Sequence, residues 1–132
     1  MAPLPNSQVP DVELWRKHFG QLSAISELAG VDSASVSPYH HVQKGAPPTV
    51  ILHGRADKTV PYFTVELFTR KTIAAGNRCD LVGFDGESHG VFNYRRSGNK
   101  PYYAALKKAE EFLTSIGYVK GASTLPPQSG IE

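Results

Sequence analysis

The chain has 132 residues, 40% of them hydrophobic and 20% charged, with a formal net charge of +2. These values describe one ordinary soluble globular domain and exclude a disordered, collagen-like or membrane-spanning chain. Basic and acidic residues are interleaved, so no polyanionic partner is implied, and the single cysteine, Cys79, excludes an intramolecular disulfide and reads as a buried, unreactive thiol.

The first ten residues contain Pro3, Pro5 and Pro10 and are expected to be extended or poorly ordered. They show neither a basic patch nor the apolar stretch of a leader, and no later run is long enough to span a bilayer. The chain therefore reads as free of membrane partners and cytoplasmic by default. From Asp11, the residues Val12, Trp15, Phe19, Leu22, Ile25 and Leu28 recur at steps of three and four, which is helical spacing weakened by Gly20. Gly30 is a reasonable stop, and residues 31–48, rich in Ser and Pro, form a connector without a period.

"TVILHG", Thr49 to Gly54, is a short β-branched run ending in glycine and reads as a strand buried on both faces. A polar loop follows, and Pro61 suits the first turn of a helix running to about Ala75, ended by Gly76-Asn77. "CDLVGF", Cys79 to Phe84, is a second strand, followed by the turn "DGESHG". From Pro101 a last helix places Tyr102, Leu106, Ala109, Leu113 and Ile116 on one stripe. Residues 119–132 read as a flexible tail, leaving 11–118 as the folded segment.

The order helix, strand, helix, strand, helix predicts an α/β fold with the polar segments placed directly after the strands. In open parallel sheets, ligands and catalytic groups gather beyond the carboxyl ends of the strands. Asp57 follows the first strand and His89 the second. Parallel, neighbouring strands would bring them within hydrogen-bonding reach, and an aspartate bonded to one ring nitrogen fixes the tautomer that leaves the other free to take a proton. His40, His41, His53 and His89 follow no zinc-ligand spacing, and neither a metal nor a cofactor is expected.

"PPTVILHGRADKTVP" together with "GNRCDLVGFDGESHGVFN" resembles the C-terminal part of α/β-hydrolase fold esterases and lipases, in particular the group of acetyl esterases and dienelactone hydrolases. The likeness runs from about Val36 to Tyr118. It implies the last strands of a mostly parallel sheet with flanking helices, Asp57 as the acid and His89 as the base of a catalytic triad, and His53-Gly54 as the strand-end pair that shapes the acid loop. The implied activity is hydrolysis of a small carboxylic ester, of short-chain or acetyl type.

Such enzymes carry their nucleophile on a GxSxG elbow that precedes the acid in the chain. No serine of the chain is read in that motif; the nearest imitation, "GASTL", Gly121 to Leu125, lacks the second glycine, leads into Pro126-Pro127 and reads as tail. Loss of the serine from a triad costs about 10⁶ in rate. The chain is thus either the acid- and base-bearing part of an esterase, or one that completes its sheet with a partner or a second copy of itself. The competing class is a self-associating or binding module: "NYRRSGNKPYY", Asn93 to Tyr103, mixes basic residues with tyrosines able to stack on sugars or bases, although its simpler reading is a surface loop and nucleic acid is the less favoured partner.

Overall fold

The computed structural model of the chain describes Ala24 and residues 27–94 and 99–127. The expected extended segment 1–10 and the helix positions Val12, Trp15, Phe19, Leu22 and Ile25 lie outside the described residues. The chain divides into two compact units that part between His41 and Val42.

In the first unit, helical residues 27–29 lead into Gly30, whose φ of +63° is a left-handed conformation that favours glycine. Leu28, expected on an apolar stripe, is 89% exposed, so that stripe is not buried at its C-terminal end. The connector expected after it holds a short helix α1, Ser33–Val36, and a 3-10 turn, Pro38–His41. Both are made by local side-chain bonds. Asp32 Oδ1 accepts the Ala34 N–H at 3.1 Å, Ser35 Oγ donates to the Asp32 carbonyl at 2.7 Å, and His41 Nε2 donates to the Ser35 carbonyl at 2.6 Å. Such bonds replace apolar periodicity as the cause of structure, and a search for a period passes over them.

The second unit is a β-α-β arrangement with a closing helix: β1, Thr49–Gly54; α2, Tyr62–Ala74; β2, Cys79–Phe84; and α3, Lys100–Ser115. Both strands have the bounds expected of "TVILHG" and "CDLVGF". They pair in parallel, with Thr49 opposite Cys79, His53 opposite Gly83 and Gly54 opposite Phe84. Because the two strands end at the same level, the segments that leave them emerge side by side. The turn that feeds β1 is fixed by Asn77, whose Oδ1 accepts the N–H groups of Gly45 and Ala46 while its Nδ2 donates to the Gln43 carbonyl.

Pro61, with φ −58° and ψ 135°, stands immediately before α2 as its N-cap, one position earlier than the first-turn place expected of it. The helix stops in a paired motif: Gly76, at φ +84°, donates to the Ile73 carbonyl and Asn77 to that of Thr72. Its buried face is made by Thr69 and Thr72, each hydroxyl bonded to the carbonyl four residues back. Small, self-satisfied side chains let α2 lie close to β2, where Thr69 faces the Cys79 thiol at 3.8 Å. Burial pushes the Cys79 thiol up, with Thr69 opposing the shift, in keeping with an unreactive thiol.

Two expectations need correction. The strands are not buried on both faces: apart from Gly54 and Cys79, their residues are half-buried. Among the described residues the sheet has two strands, so each keeps an unpaired edge. On α3, Tyr102, Leu106, Ala109 and Ile116 of the expected stripe are half-buried, but the buried positions are Ala105 and Phe112, and Leu113 is 39% exposed. Ala105 lets the helix approach, α3 packs on β1, and Phe112 is held beneath the Arg78 guanidinium at 4.9 Å from its ring centre.

Phe112→Ala is therefore expected to destabilise the fold by about 3 kcal/mol, whereas Leu113→Ala should change it by about 0.5 kcal/mol or less. Urea denaturation followed by circular dichroism separates the two; equal losses would restore the stripe read from the sequence.

Candidate active site

The site is built on the two segments that leave the strand ends. Asp57 lies three residues past Gly54, and His89 five past Phe84. Both segments are stitched together before the side chains meet: the Arg55 N–H donates to the Phe84 carbonyl and the Ala56 N–H to the Glu87 carbonyl, each at 2.9 Å. This close approach requires glycine at position 54. A Cβ there would stand 2.6 Å from the Ser88 carbonyl oxygen and nearer still to that of Glu87, and both obstacles are backbone. Thus the glycine that ends β1 makes room for the segment that carries the histidine.

Asp57 is buried, its side chain 2% exposed, and it uses both carboxylate oxygens. Oδ1 accepts the N–H groups of Thr59 and Val60 at 2.8 and 2.9 Å, folding the loop around the acid. Oδ2 faces His89 Nδ1 at 2.9 Å and His53 Nε2 at 3.2 Å. Burial alone pushes this carboxyl up. The Val60 N–H, the His89 ring and the Thr59 N–H outweigh burial and hold it below the usual carboxylate value.

These partners fix both tautomers. A carboxylate only accepts, so the His89 Nδ1 carries the proton and Nε2 presents its lone pair outward, on a ring whose side chain is 51% exposed. His53 Nε2 lies 2.9 Å from the Val60 carbonyl, which also only accepts, so that nitrogen is protonated and shared between Val60 and Asp57. A buried acid, an oriented ring and an outward lone pair together form an arrangement able to draw a proton from a neighbouring hydroxyl.

The structure thus brings together both residues singled out in the sequence, with His53 beside them. The sequence reading passed over two features. Gly86-Glu87-Ser88-His89-Gly90 has the GxSxG spacing, but residues 85–94 are turns, a bend and irregular chain at Glu87 and Ser88, with no helix opening behind Ser88, so the elbow that aligns backbone N–H groups behind a nucleophile is not formed. The second is a cluster around Arg55: its Nε is 2.9 Å from Asp85 Oδ1 and its guanidinium lies 4.6 Å from the Tyr62 ring centre.

Ser123 of "GASTL" donates to Glu110 Oε2 and accepts the Leu125 N–H, far along the chain from the pair. In the loop weighed as a binding surface, Tyr102 packs edge to face against Tyr94 and Tyr103, while Arg95 and Arg96 lie outside the described residues. Among the described residues no group of three or more His, Cys, Asp or Glu side chains is disposed to hold a metal, and no helix is long and apolar enough to cross a membrane.

Residues 11–114 match the prolyl oligopeptidase family. No curated protein matches the sequence significantly. Among solved structures, the chain is similar to a thermophilic esterase from the planctomycete Thermogutta terrifontis. In its native form that esterase is 44% identical over 76% of this chain, with a TM-score of 0.71 and 36% of its own length covered. The same esterase phosphorylated by paraoxon gives 47% identity over 70% of this chain, TM-score 0.68 and 36% of its length. Its propionate-bound form gives 39% identity over 91% of this chain, TM-score 0.70 and 41% of its length. The chain accordingly spans 36% to 41% of the length of the esterase in these three structures.

Gly54→Ala is expected to push the histidine segment away and to lower stability by about 2 kcal/mol, as read by urea denaturation; an unchanged midpoint would mean that the segments are not held at this spacing. Because the folded Asp57 carboxyl titrates below its unfolded counterpart, it stabilises the fold above the ordinary carboxylate range and loses that contribution as pH falls through the lowered value. Below about pH 4, stability should therefore fall more steeply in the wild-type chain than in Asp57→Asn. Parallel curves for the two proteins would contradict it.

Proposed function

The chain belongs to the prolyl oligopeptidase family and has an α/β-hydrolase type of fold, and from that premise we propose that it supplies the acid and the base of a serine esterase acting on short-chain esters. One observation carries the proposal: the buried Asp57 carboxylate meets His89 Nδ1 at 2.9 Å while the far side of the ring is open to a substrate. The short acyl group is supported by the propionate-bound and butyrate-bound forms of the Thermogutta esterase.

In this reaction His89 Nε2 takes the proton of a seryl hydroxyl as its oxygen attacks the ester carbonyl. The same proton passes to the departing alkoxide, giving an alcohol and an acyl-enzyme. His89 then deprotonates water, whose oxygen attacks the acyl group, and returns the proton to the serine as the carboxylic acid leaves. Asp57 keeps the ring in its tautomer and stabilises the imidazolium between the two steps. The serine and the oxyanion-stabilising N–H groups are assigned to polypeptide outside these 132 residues, docked on the unpaired edges of the sheet, either as a further part of one protein or as an associated chain.

The family's name favours a second substrate class, peptides, which the same acid and base would serve with an amine as leaving group. A chimera decides between them. The matching segment of the Thermogutta esterase is replaced by residues 42–118 of this chain and assayed on p-nitrophenyl butyrate and on a prolyl peptide anilide. Ester hydrolysis is expected, falling by about 10⁴-fold or more in His89→Ala and by about 10⁴-fold in Asp57→Asn. Preference for the anilide would select the peptide reading. A folded chimera indifferent to His89→Ala would overturn both.

A further inference from the structure

The segments that carry Asp57 and His89 meet rung by rung. Residue 55 bonds across to residue 84, residue 56 to residue 87, and residue 57 to residue 89. Arg55 contributes twice, because its side chain also reaches Asp85, the residue that opens the histidine turn. Gly86, next in that turn, has φ +75°, a left-handed conformation that glycine adopts without strain and that bends the chain from Asp85 toward the histidine.

The guanidinium is seated as well as paired. It stacks over Tyr62 in the first turn of α2, and it lies against Gly83 near the end of β2. A Cβ at Gly83 would stand 2.6 Å from Arg55 Nε, 2.7 Å from its Cζ and 2.5 Å from the Tyr62 hydroxyl, so only glycine leaves the seat open. Burial pushes the Tyr62 hydroxyl up although the neighbouring Arg55 charge opposes it, which keeps the ring a neutral stacking surface. An ion pair whose arginine is half-exposed and whose Asp85 side chain is 91% exposed contributes little by itself. The guanidinium, set between an aromatic face and a glycine, is confined to one geometry, and it is there that Asp85 meets it.

We infer that Arg55 is a positioning residue: held on Gly83 and Tyr62, it pins Asp85 and so sets where the turn presents His89 to Asp57. The inference rests on the acid and base reading of that pair. Its test is nitrogen and downfield proton NMR of the full 132-residue chain, with His89→Gln used to assign the His89 ring.

The wild-type chain should show His89 with its proton on Nδ1, exchanging slowly with solvent. In Arg55→Met and in Asp85→Asn that proton should exchange about two- to fivefold faster, the range expected of a single confined ion pair. The double variant should be no worse than either single, because both remove one rung. Gly83→Ala, which closes the seat without touching a charge, should act in the same direction. Arg55→Lys, which keeps the charge but not the planar stack, should restore only part of the effect.

A folded Arg55→Met and a folded Gly83→Ala, both with the wild-type His89 signal, would overturn the role of Arg55 while leaving the Asp57 and His89 pair intact. If Arg55→Met does not fold, Asp85→Asn supplies the same comparison. A wild-type His89 carrying its proton on Nε2 would instead overturn the pairing itself.

Discussion

Nothing larger than a hydrogen atom fits between the Gly54 Cα and the carbonyls of Glu87 and Ser88, and the rest of the site depends on that approach. With the backbones this close, the Ala56 N–H reaches the Glu87 carbonyl, and Asp57 and His89, far apart in sequence, come within 2.9 Å. The parallel register supplies the coarse alignment by ending both strands level. Glycine supplies the fine one. The buried carboxylate is tolerable because four donors, two backbone and two imidazole, converge on it.

The strands and the pair were legible in the sequence for a physical reason. Thr49 to Gly54 is a β-branched run closed by glycine, Cys79 to Phe84 a short, mostly apolar run closed by the Asp85-Gly86 turn, and a polar residue just beyond either one emerges at the sheet's carboxyl edge. The face of α3 was less legible. Leu106 and Leu113 stand seven residues apart, as do Ala105 and Phe112, so spacing does not say which pair lies deeper; close approach to β1 and the Arg78 contact put Ala105 and Phe112 there. The capped turn at Asp32 was passed over because four residues make too little helix to show a period.

Part of the site could not be read from spacing at all. The seat of Arg55 exists because Gly83 has no side chain and Tyr62 arrives from another element, a coincidence visible only in three dimensions. The string "GESHG" shows the converse. Its letters match a nucleophile elbow, yet the geometry that gives such an elbow its chemistry is a strand turning directly into a helix, and here the chain continues through turns.

Every tether between the acid and the base lies between Thr49 and His89, within one strand, helix and strand. Closing the 32-residue separation between Asp57 and His89 carries a modest entropic penalty, since that cost grows only with the logarithm of loop length. The contacts that set Asp57 against His89 are consequently all made within one β-α-β unit, so their geometry depends on short-range chain connectivity and not on elements elsewhere in the chain.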